Sequence, residues 1–327
     1  MNRTPQFKMV FLELTNGCNF SCAFCAKHKM SRPVGFMDAA LAMRILDQLQ
    51  EHELTNRVAF HVMGEPLLHP RFGEILAYAH SVGLKVAINT NGSLLSEERN
   101  DMLLEHADRV LISLRSRSEA AFSRNAGSKR VCDYSSYISR VGQLITKKLE
   151  LGTGPKIYLR LFANDCSDPL FAESVSQSHE FIRKLNTVLR QRVLPSGSIE
   201  IYPDVRVVFD KLTEFWLPST TGKYYRSYWG KCDALTDELA ILWNGDVTTC
   251  CYDYDGLNRF GNLANNGILE VVAGDEFRNY LVSFAKMKLP TPVCQECFGA
   301  SSRWRWMLRQ LYSLGQFINL FPPKSFL

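Results

Sequence analysis

The chain has 327 residues, 46% of them hydrophobic and 22% charged, which is typical of globular proteins and sufficient for one large α/β domain with a smaller one appended. Its formal charge of +5 comes from Lys and Arg spread along the sequence, so binding of nucleic acid is not indicated. The apolar run 9–14 is too short for an export signal, and no run approaches the ~20 apolar residues of a membrane-spanning helix, so we expect a soluble, cytoplasmic protein without a transmembrane segment.

The first two thirds of the chain alternates β-prone runs with helical patterns. Strands are predicted at residues 8–14, 57–63, 84–89, 109–114, 156–162 and 198–208, and helices at 38–52, 71–81, 96–106, 134–151 and 169–192. Roughly six β/α units imply a parallel sheet with right-handed crossovers, either open or closed into a full or partial barrel. In each case the functional site is expected at the C-terminal ends of the strands.

The pattern changes after about residue 210, where Pro218, Gly222 and a Tyr- and Trp-rich stretch interrupt it. We therefore predict a core domain at 1–210, a linker at 211–231 and a smaller α/β domain at 232–327. Within the last of these, residues 239–251 read as a hairpin, since Asn244-Gly245 between two β-prone runs is a strong turn signal.

A first group of cysteines follows the first predicted strand, in the spacing C-x3-C-x2-C: Cys18, Cys22 and Cys25. Clustered cysteines in a cytosolic chain indicate metal binding rather than disulfides. Three thiolates can hold three irons of a [4Fe-4S] cluster and leave the fourth iron open for a ligand. A structural zinc ion or a closed cluster would require a fourth ligand, for which His28 is the candidate.

With this spacing after its first strand, the chain resembles the radical S-adenosylmethionine (SAM) superfamily. The resemblance implies a partial (β/α)6 TIM-like barrel whose open iron binds SAM. An electron from a flavodoxin- or ferredoxin-type donor then splits SAM into methionine and a 5'-deoxyadenosyl radical, which removes hydrogen from a substrate. Phe24 occupies the position at which the family places an aromatic ring beside the adenine.

The family resemblance extends to the end of the second predicted strand. Met63-Gly64-Glu65-Pro66 resembles the family's GGEP element, with Met63 in place of the first glycine. The resemblance implies that Gly64, Glu65 and Pro66 hold the ammonium group of SAM.

Further polar residues follow the later strands. Asn89 opens an Asn-Thr-Asn-Gly turn similar to the family's TNG turn, and Ser113 resembles a serine that contacts the ribose or carboxylate of SAM. Arg115 and Arg160 are candidates for binding the SAM carboxylate. Each residue alone fits a turn or a solvated charge equally well, but their positions at consecutive strand ends favour a shared site.

A second group of cysteines lies in the C-terminal region: Cys232, Cys250, Cys294 and Cys297. Four thiolates with one C-x2-C pair suit either a zinc ribbon or a fully ligated [4Fe-4S] cluster, and the spacing does not distinguish them. The arrangement is similar to the twitch domain, a shortened SPASM domain, and that resemblance implies a second, auxiliary [4Fe-4S] cluster.

Cys251 adjoins the second group but is expected to stand apart from it. Neighbouring side chains on a strand point to opposite faces, so Cys250 and Cys251 do not readily ligate one cluster. Cys251 is then either an inert packed cysteine or a catalytic thiol that donates a hydrogen atom, as in family members that are epimerases.

The auxiliary cluster and Cys251 predict different reactions for the substrate. A fully ligated auxiliary cluster favours electron transfer and hence oxidation of the substrate, whereas a thiol at Cys251 favours epimerisation. A small polar substrate of the sugar or aminocyclitol type is preferred over a peptide, because no leader-peptide-binding module precedes the barrel. A non-catalytic iron-sulfur or zinc protein is the alternative of a different class.

The C-terminal residues 301–320 read as a helix with an apolar stripe formed by Trp304, Leu308, Leu311 and Leu314, interleaved with arginines. We expect the stripe to pack as core against the barrel or the second domain. Docking to a partner or to a membrane surface is the alternative.

Overall fold

A computed structural model describes residues 6–22, 24–114, 117–126, 132–162, 171, 179–191, 197–210, 224–232 and 234–318. The strands are β1 (Met9–Leu12), β2 (Arg57–Phe60), β3 (Lys85–Thr90), β4 (Arg109–Ile112), β5 (Lys156–Phe162), β6 (Gly197–Tyr202), β7 (Val205–Asp210), β8 (Glu238–Ile241), β9 (Asp246–Thr248) and β10 (Gly261–Asn262). They form one sheet in the order β10-β9-β8-β1-β2-β3-β4-β5-β7-β6.

The helices lie between and after the strands. They are α1 (Ala39–Glu51), α2 (Phe72–Ser81), α3 (Glu97–His106), α4 (Glu119–Ala126), α5 (Tyr134–Leu151), α6 (Glu180–Gln191), α7 (Ala234–Asp237), α8 (Ile268–Ala273), α9 (Asp275–Ala285), α10 (Pro292–Cys297) and α11 (Arg303–Phe317). Of the helix predicted at 169–192, the structure describes Phe171 and residues 179–191.

The sheet is a partial barrel, as the sequence predicts. Strands β8, β1, β2, β3, β4, β5 and β7 run parallel to their neighbours, and the linear strand order leaves two free ends. The helices begin where the sequence carries capping residues: the Asp38 carboxylate accepts from Leu41 N before α1, and the Asp133 carboxylate accepts from Ser136 N before α5.

The two faces of the strands differ in side-chain size. Val58 and Phe60 of β2 pack outward against the helices, together with the equivalent residues of the neighbouring strands. The inward positions include the small residues Ala59, Ala87 and Ala240. Because strand side chains alternate, this pattern gives a large core under the helices and leaves room inside the barrel.

The prediction of one strand over residues 198–208 is wrong. The segment is a hairpin in which β6 pairs antiparallel with β7, and β7 pairs parallel with β5. Pro203 and Asp204 form the turn, and Asp204 has a φ of 59°. A proline lacks the N–H that a strand requires, and aspartate tolerates the left-handed region, so this pair breaks the run.

The C-terminal region continues the same sheet. Strand β8 pairs parallel with β1, with Ala240 opposite Phe11, and the predicted hairpin at Asn244-Gly245 is confirmed by the antiparallel pairing of β8 and β9. Gly245 has a φ of 87°, which a turn of this kind requires. The proposed domain boundaries stay a prediction; residues 211–223 of the linker lie outside the described residues.

Helix α11 confirms the predicted C-terminal helix but not its packing. The stripe of Trp304, Leu308, Leu311 and Leu314 is exposed, so the expectation that it forms core is wrong. Among the helices within the described ranges, none combines the length and apolar character needed to cross a membrane.

Candidate active site

Cys18, Cys22 and Cys25 line one cavity at the C-terminal ends of the parallel strands. The cavity is open to solvent, and its volume is about 940 Å³ when the open mouth is included. The same cavity is lined by residues in the C-terminal parts of strands β2 to β5 or just beyond their ends. They are His61, Met63, Gly64, Asn89, Thr90, Asn91, Ser113, Leu114 and Arg160.

The cysteine loop presents its sulfurs to hydrogen-bond donors. Cys18 Sγ accepts from Phe20 N at 3.4 Å and from Asn91 Nδ2 at 3.8 Å, and Cys25 Sγ accepts from Lys27 N at 3.5 Å. Burial raises the pKa of Cys18 to about 11, so iron binding has to displace its proton. Donors of this kind stabilise the charge of sulfur in iron-sulfur clusters.

His28 does not provide Nε2 as the fourth ligand. That nitrogen lies 2.9 Å from the carbonyl oxygen of Cys22, and a carbonyl oxygen only accepts, so Nε2 carries the proton of this hydrogen bond. In the ranges described above, no group of three or more His, Cys, Asp or Glu side chains converges as the ligands of a single metal ion would. A [4Fe-4S] cluster instead distributes its ligands over four irons.

Gly64 is required by the packing of two loops. Its φ is 77°, and a Cβ built on it would lie 2.3 Å from Thr15 O and 2.5 Å from Gly17 O. Glu65 N also donates to Gly17 O at 2.8 Å. The second glycine of the GGEP-like element therefore cannot change, whereas Met63 at the first position packs inside the barrel.

The Glu65 carboxylate ties the ends of β2 and β3 together. Its Oε1 accepts from Thr90 Oγ1 at 2.8 Å and its Oε2 accepts from Asn91 N at 2.6 Å. Burial raises the pKa of Glu65 to about 7. The side chain is only 1% exposed and stands behind the cavity wall, which Gly64 lines.

The other predicted SAM-binding residues divide into two sets. Asn89, Ser113 and Arg160 line the cavity. Phe24 packs partly buried against the core, and Pro66 is buried, so neither lines the cavity. Arg115 lies outside the described residues.

His61 is a cavity residue that no motif in the sequence indicated. It follows Phe60 at the end of β2 and lies near Phe11, with ring centroids 6.3 Å apart. The available signal was the alternation of side chains along β2: Ala59 faces inward, and His61, two residues later and just beyond the strand, lines the cavity.

The four cysteines of the second group come together. Burial, followed by the neighbouring thiols of Cys250, Cys297 and Cys294, raises the pKa of Cys232 well above its usual value. Burial and then Cys297 likewise raise the pKa of Cys250. These electrostatic effects place the four cysteines in one region, in which Cys232 and Cys294 pack against the same apolar cluster and Cys294 and Cys297 share helix α10.

Aromatic side chains surround this second group. Tyr280 Oη lies 2.9 Å from Cys294 Sγ, and Tyr280 belongs to an apolar cluster with Phe284 and Leu289 that also packs against Cys232. The sulfurs therefore lie in an apolar environment with a hydrogen-bonding hydroxyl, two features that tune the potential of iron-sulfur clusters.

Cys251 packs against a different apolar cluster from Cys232 and Cys294. It packs with Cys25 and Tyr254 against the residues inside the barrel. Burial, then Glu238 and Cys250, raises its pKa well above the usual value, while Arg160 lowers it. Cys251 does not line the cavity described above.

A buried ion pair joins the two cysteine regions. Arg32, seven residues after Cys25, donates to both oxygens of Glu13 at 2.9 Å, and to Tyr254 O at 2.9 and 2.7 Å. The Asp255 carboxylate accepts from Ser31 N at 2.8 Å. Because Tyr254 follows Cys250 closely, these contacts fix the second cysteine region against the end of β1.

The chain matches two family models. One, for the radical SAM superfamily, covers residues 12–142, and the other, for an iron-sulfur cluster-binding domain named SPASM, covers residues 232–298. The chain is also 36% identical over 261 residues to the tungsten-containing aldehyde ferredoxin oxidoreductase cofactor-modifying protein of Pyrococcus furiosus, which covers 74% of this chain and 70% of that protein. The chain belongs to the radical SAM superfamily.

Other radical SAM proteins are similar over shorter stretches or in fold. The S-adenosyl-L-methionine-dependent 2-deoxy-scyllo-inosamine dehydrogenase of Niallia circulans is 31% identical over 102 residues, which is 30% of this chain and 41% of that protein. The structure of BtrN in complex with AdoMet and 2-DOIA superimposes with a TM-score of 0.55 at 19% identity, covering 87% of this chain and 89% of that one. The structure of Streptococcus suis SuiB bound to S-adenosylmethionine superimposes with a TM-score of 0.55 at 15% identity, covering 89% of this chain and 72% of that one.

The cofactors of this radical SAM enzyme are SAM, a SAM-binding [4Fe-4S] cluster and an auxiliary iron-sulfur cluster. The residues present fit these groups, because three thiols share one cavity and four more form a separate set. We propose Cys18, Cys22 and Cys25 as ligands of the first cluster. For the auxiliary cluster we propose Cys232, Cys250, Cys294 and Cys297.

Glu65 offers a test of SAM binding in this radical SAM enzyme. We expect Glu65→Gln to weaken SAM binding about tenfold or more, since a hydrogen bond to a charged group is worth about 1.5 to 3 kcal/mol. If Glu65 contacts the amino group of SAM, as the resemblance implies, protonation of its carboxyl below its pKa of about 7 makes it a poorer acceptor for that group. SAM affinity of the unaltered enzyme should therefore fall as the pH drops through neutrality.

Equilibrium dialysis of anaerobically reconstituted protein across neutral pH measures both effects. Thr90→Val is the matched control, because it removes one donor to the same carboxylate and leaves the charge in place. It should keep the pH dependence that Glu65→Gln loses. Equal affinity and an equal pH profile in Glu65→Gln would mean that Glu65 only joins the two loops.

Proposed function

We propose that this radical SAM enzyme oxidises a hydroxyl-bearing carbon of a small polar substrate, of the sugar or aminocyclitol type, to a carbonyl. The observation that carries the proposal is the second set of four partly buried cysteines, which share one region, while Cys251 packs against a different apolar cluster. Four thiolates saturate a [4Fe-4S] cluster, which leaves no iron position for a substrate. Such a cluster suits electron transfer.

In the proposed reaction, the substrate loses two electrons and two protons in total, and each has an acceptor. SAM and the first cluster, once reduced by a flavodoxin- or ferredoxin-type donor, supply one hydrogen-atom abstraction, and the auxiliary cluster accepts one electron. The substrate carbon thus loses a hydrogen atom to form 5'-deoxyadenosine, one electron to the auxiliary cluster and the hydroxyl proton to a base. One SAM and one alcohol yield methionine, 5'-deoxyadenosine, a carbonyl product and a proton.

The lining of the cavity supports a polar substrate. Besides Asn89, Ser113 and Arg160, which the resemblance assigns to SAM, the lining includes His61, whose imidazole is able to take the hydroxyl proton. The similarity to the 2-deoxy-scyllo-inosamine dehydrogenase, whose name describes an oxidation of an aminocyclitol, supports the same substrate class.

Epimerisation is the second candidate, and the environment of Cys251 favours it. A hydrogen-atom donor has to stay protonated as S–H, and burial holds the pKa of Cys251 well above its usual value. Cys251 also packs against the same barrel-interior cluster as Cys25. Its position away from the cavity lining favours oxidation over this alternative.

Reaction products formed in deuterated water distinguish the two reactions. Oxidation predicts a product two hydrogens lighter, without deuterium at the reacting carbon, formed equally by Cys251→Ala. Epimerisation predicts a product of unchanged composition with one solvent deuterium on the inverted carbon, because a thiol hydrogen exchanges with water. Mass spectrometry against a panel of sugars, aminocyclitols and peptides measures both.

Two variants control this experiment. Cys132→Ala alters a partly buried cysteine outside both proposed ligand sets and should change neither product nor yield. Cys297→Ala, in the auxiliary set, should keep 5'-deoxyadenosine formation but lose the oxidised product. Solvent deuterium that disappears in Cys251→Ala with unchanged iron content would reject oxidation.

A further inference from the structure

The C-terminal helix α11 presents its apolar side to solvent. Trp304, Met307, Leu308, Leu311 and Leu314 lie at helical spacing and share one side, and Ile318 follows the helix in the same register. Their exposure runs from 39% for Met307 to 63% for Trp304. We call these six residues the apolar face. Scattered exposed apolar residues are ordinary, but a contiguous row of this kind marks an interaction site.

The helix is bound to the protein through its opposite, more polar side. Gln310 is 5% and Ser313 2% exposed, and Gln310 Oε1 accepts from Ser227 Oγ at 2.6 Å. Trp306 Nε1 donates to Arg226 O at 3.1 Å, and Arg309 donates to Gly299 O. Rolling the helix to bury the apolar face would break these hydrogen bonds, so the outward orientation is fixed.

The charged residues of helix α11 itself have one sign. Arg303 and Arg305 are exposed at its N-terminal end, on either side of Trp304. The sequence contains no acidic residue after Glu296, while Arg303, Arg305, Arg309 and Lys324 are basic. A basic helix with Trp and Leu on one side is typical of helices that lie in the interface of a membrane.

We propose that α11 docks the enzyme onto an anionic lipid surface, with the apolar face in the boundary between headgroups and acyl chains. Trp304 suits that boundary, and Arg303 and Arg305 at its edges suit anionic headgroups. A second copy of the chain fits less well, because it would bring two basic helices together without an acidic partner. This association is independent of the proposed oxidation and leaves the cavity at the strand ends unchanged.

Vesicle sedimentation with reconstituted full-length protein tests the proposal. The protein should sediment with vesicles that contain phosphatidylglycerol, bind vesicles of phosphatidylcholine alone at least tenfold more weakly, and dissociate as salt is raised. The double variant Leu308→Asp with Leu311→Asp should lose at least tenfold in affinity. Arg303→Gln with Arg305→Gln should bind more weakly and with less dependence on salt.

Val282→Asp is the matched control, since Val282 is an apolar residue that is also exposed on a helix, but on α9 and not on α11. It should bind vesicles like the unaltered protein. If the double aspartate variant folds poorly, Trp304→Gln replaces it. Iron content and circular dichroism test whether each variant is folded. Absence of binding to phosphatidylglycerol vesicles, or equal binding by the apolar-face variants, would overturn the proposal. So would dimerisation that these variants abolish in lipid-free solution.

Discussion

Replacing Cys18, Cys22 and Cys25 together by alanine is expected to abolish formation of 5'-deoxyadenosine and to reduce bound iron from about eight to about four atoms per chain, if each proposed ligand set carries one [4Fe-4S] cluster. The loss is complete because the three thiols share the cavity that Gly64, Asn89 and Arg160 also line. Iron analysis and chromatography of products from reduced, anaerobic protein measure both quantities.

The second set provides the contrasting variant. Replacing Cys232, Cys250, Cys294 and Cys297 by alanine should also halve the iron, yet it should leave SAM cleavage in place. Cys132→Ala should leave both iron and cleavage unchanged. Zinc in place of iron at the second set would contradict the proposed ligands there, and SAM cleavage by the first variant would contradict those at the first set. Protein that holds both clusters but never cleaves SAM would instead support a non-catalytic role.

The features that the sequence predicts well are local. Cys18 to Cys25 occupy eight consecutive residues, so their spacing is visible without a fold, and Asp38 and Ser96 cap their helices within one turn. The turn at Asn244-Gly245 depends on two adjacent residues. The turn at Pro203-Asp204, which divides residues 198–208 into β6 and β7, is a local signal of the same kind.

The features that the sequence does not predict depend on distant partners. Helical spacing identifies the stripe of α11, but only the contacts of Gln310 with Ser227 show that it faces outward. The role of Glu65 in joining two loops depends on Thr90 and Asn91, which lie in the next β/α unit. Periodicity reports which residues share a face and gives no information about what covers it.

Arg32 also contacts residues that are distant in sequence, and the loss of these contacts should strongly reduce the stability of the protein. The Glu13 side chain is fully buried and that of Arg32 is 9% exposed. We expect Arg32→Met to lower the free energy of unfolding by about 3 to 5 kcal/mol, because it leaves the buried Glu13 carboxylate without a counter-charge and with only backbone donors such as Trp243 N. Urea unfolding of the reconstituted protein, followed by circular dichroism, measures this difference.

The same variant should also uncouple SAM cleavage from product formation. Arg32 holds Tyr254 O, four residues after Cys250, so its loss lets the proposed electron acceptor move relative to the cavity while the first three cysteines stay in place. The amount of product per 5'-deoxyadenosine should fall in Arg32→Met.

Lys8→Ala is the control, because it removes only the exposed ion pair with Asp237 of α7. It should lower the free energy of unfolding by about 1 kcal/mol or less and leave the ratio of product to 5'-deoxyadenosine unchanged. Adding Glu13→Gln to Arg32→Met should restore much of the stability, because it removes the unpaired charge. It should not restore the ratio of product to 5'-deoxyadenosine, because the contact with Tyr254 is still missing. Recovery of both together would mean that Arg32 acts through stability alone.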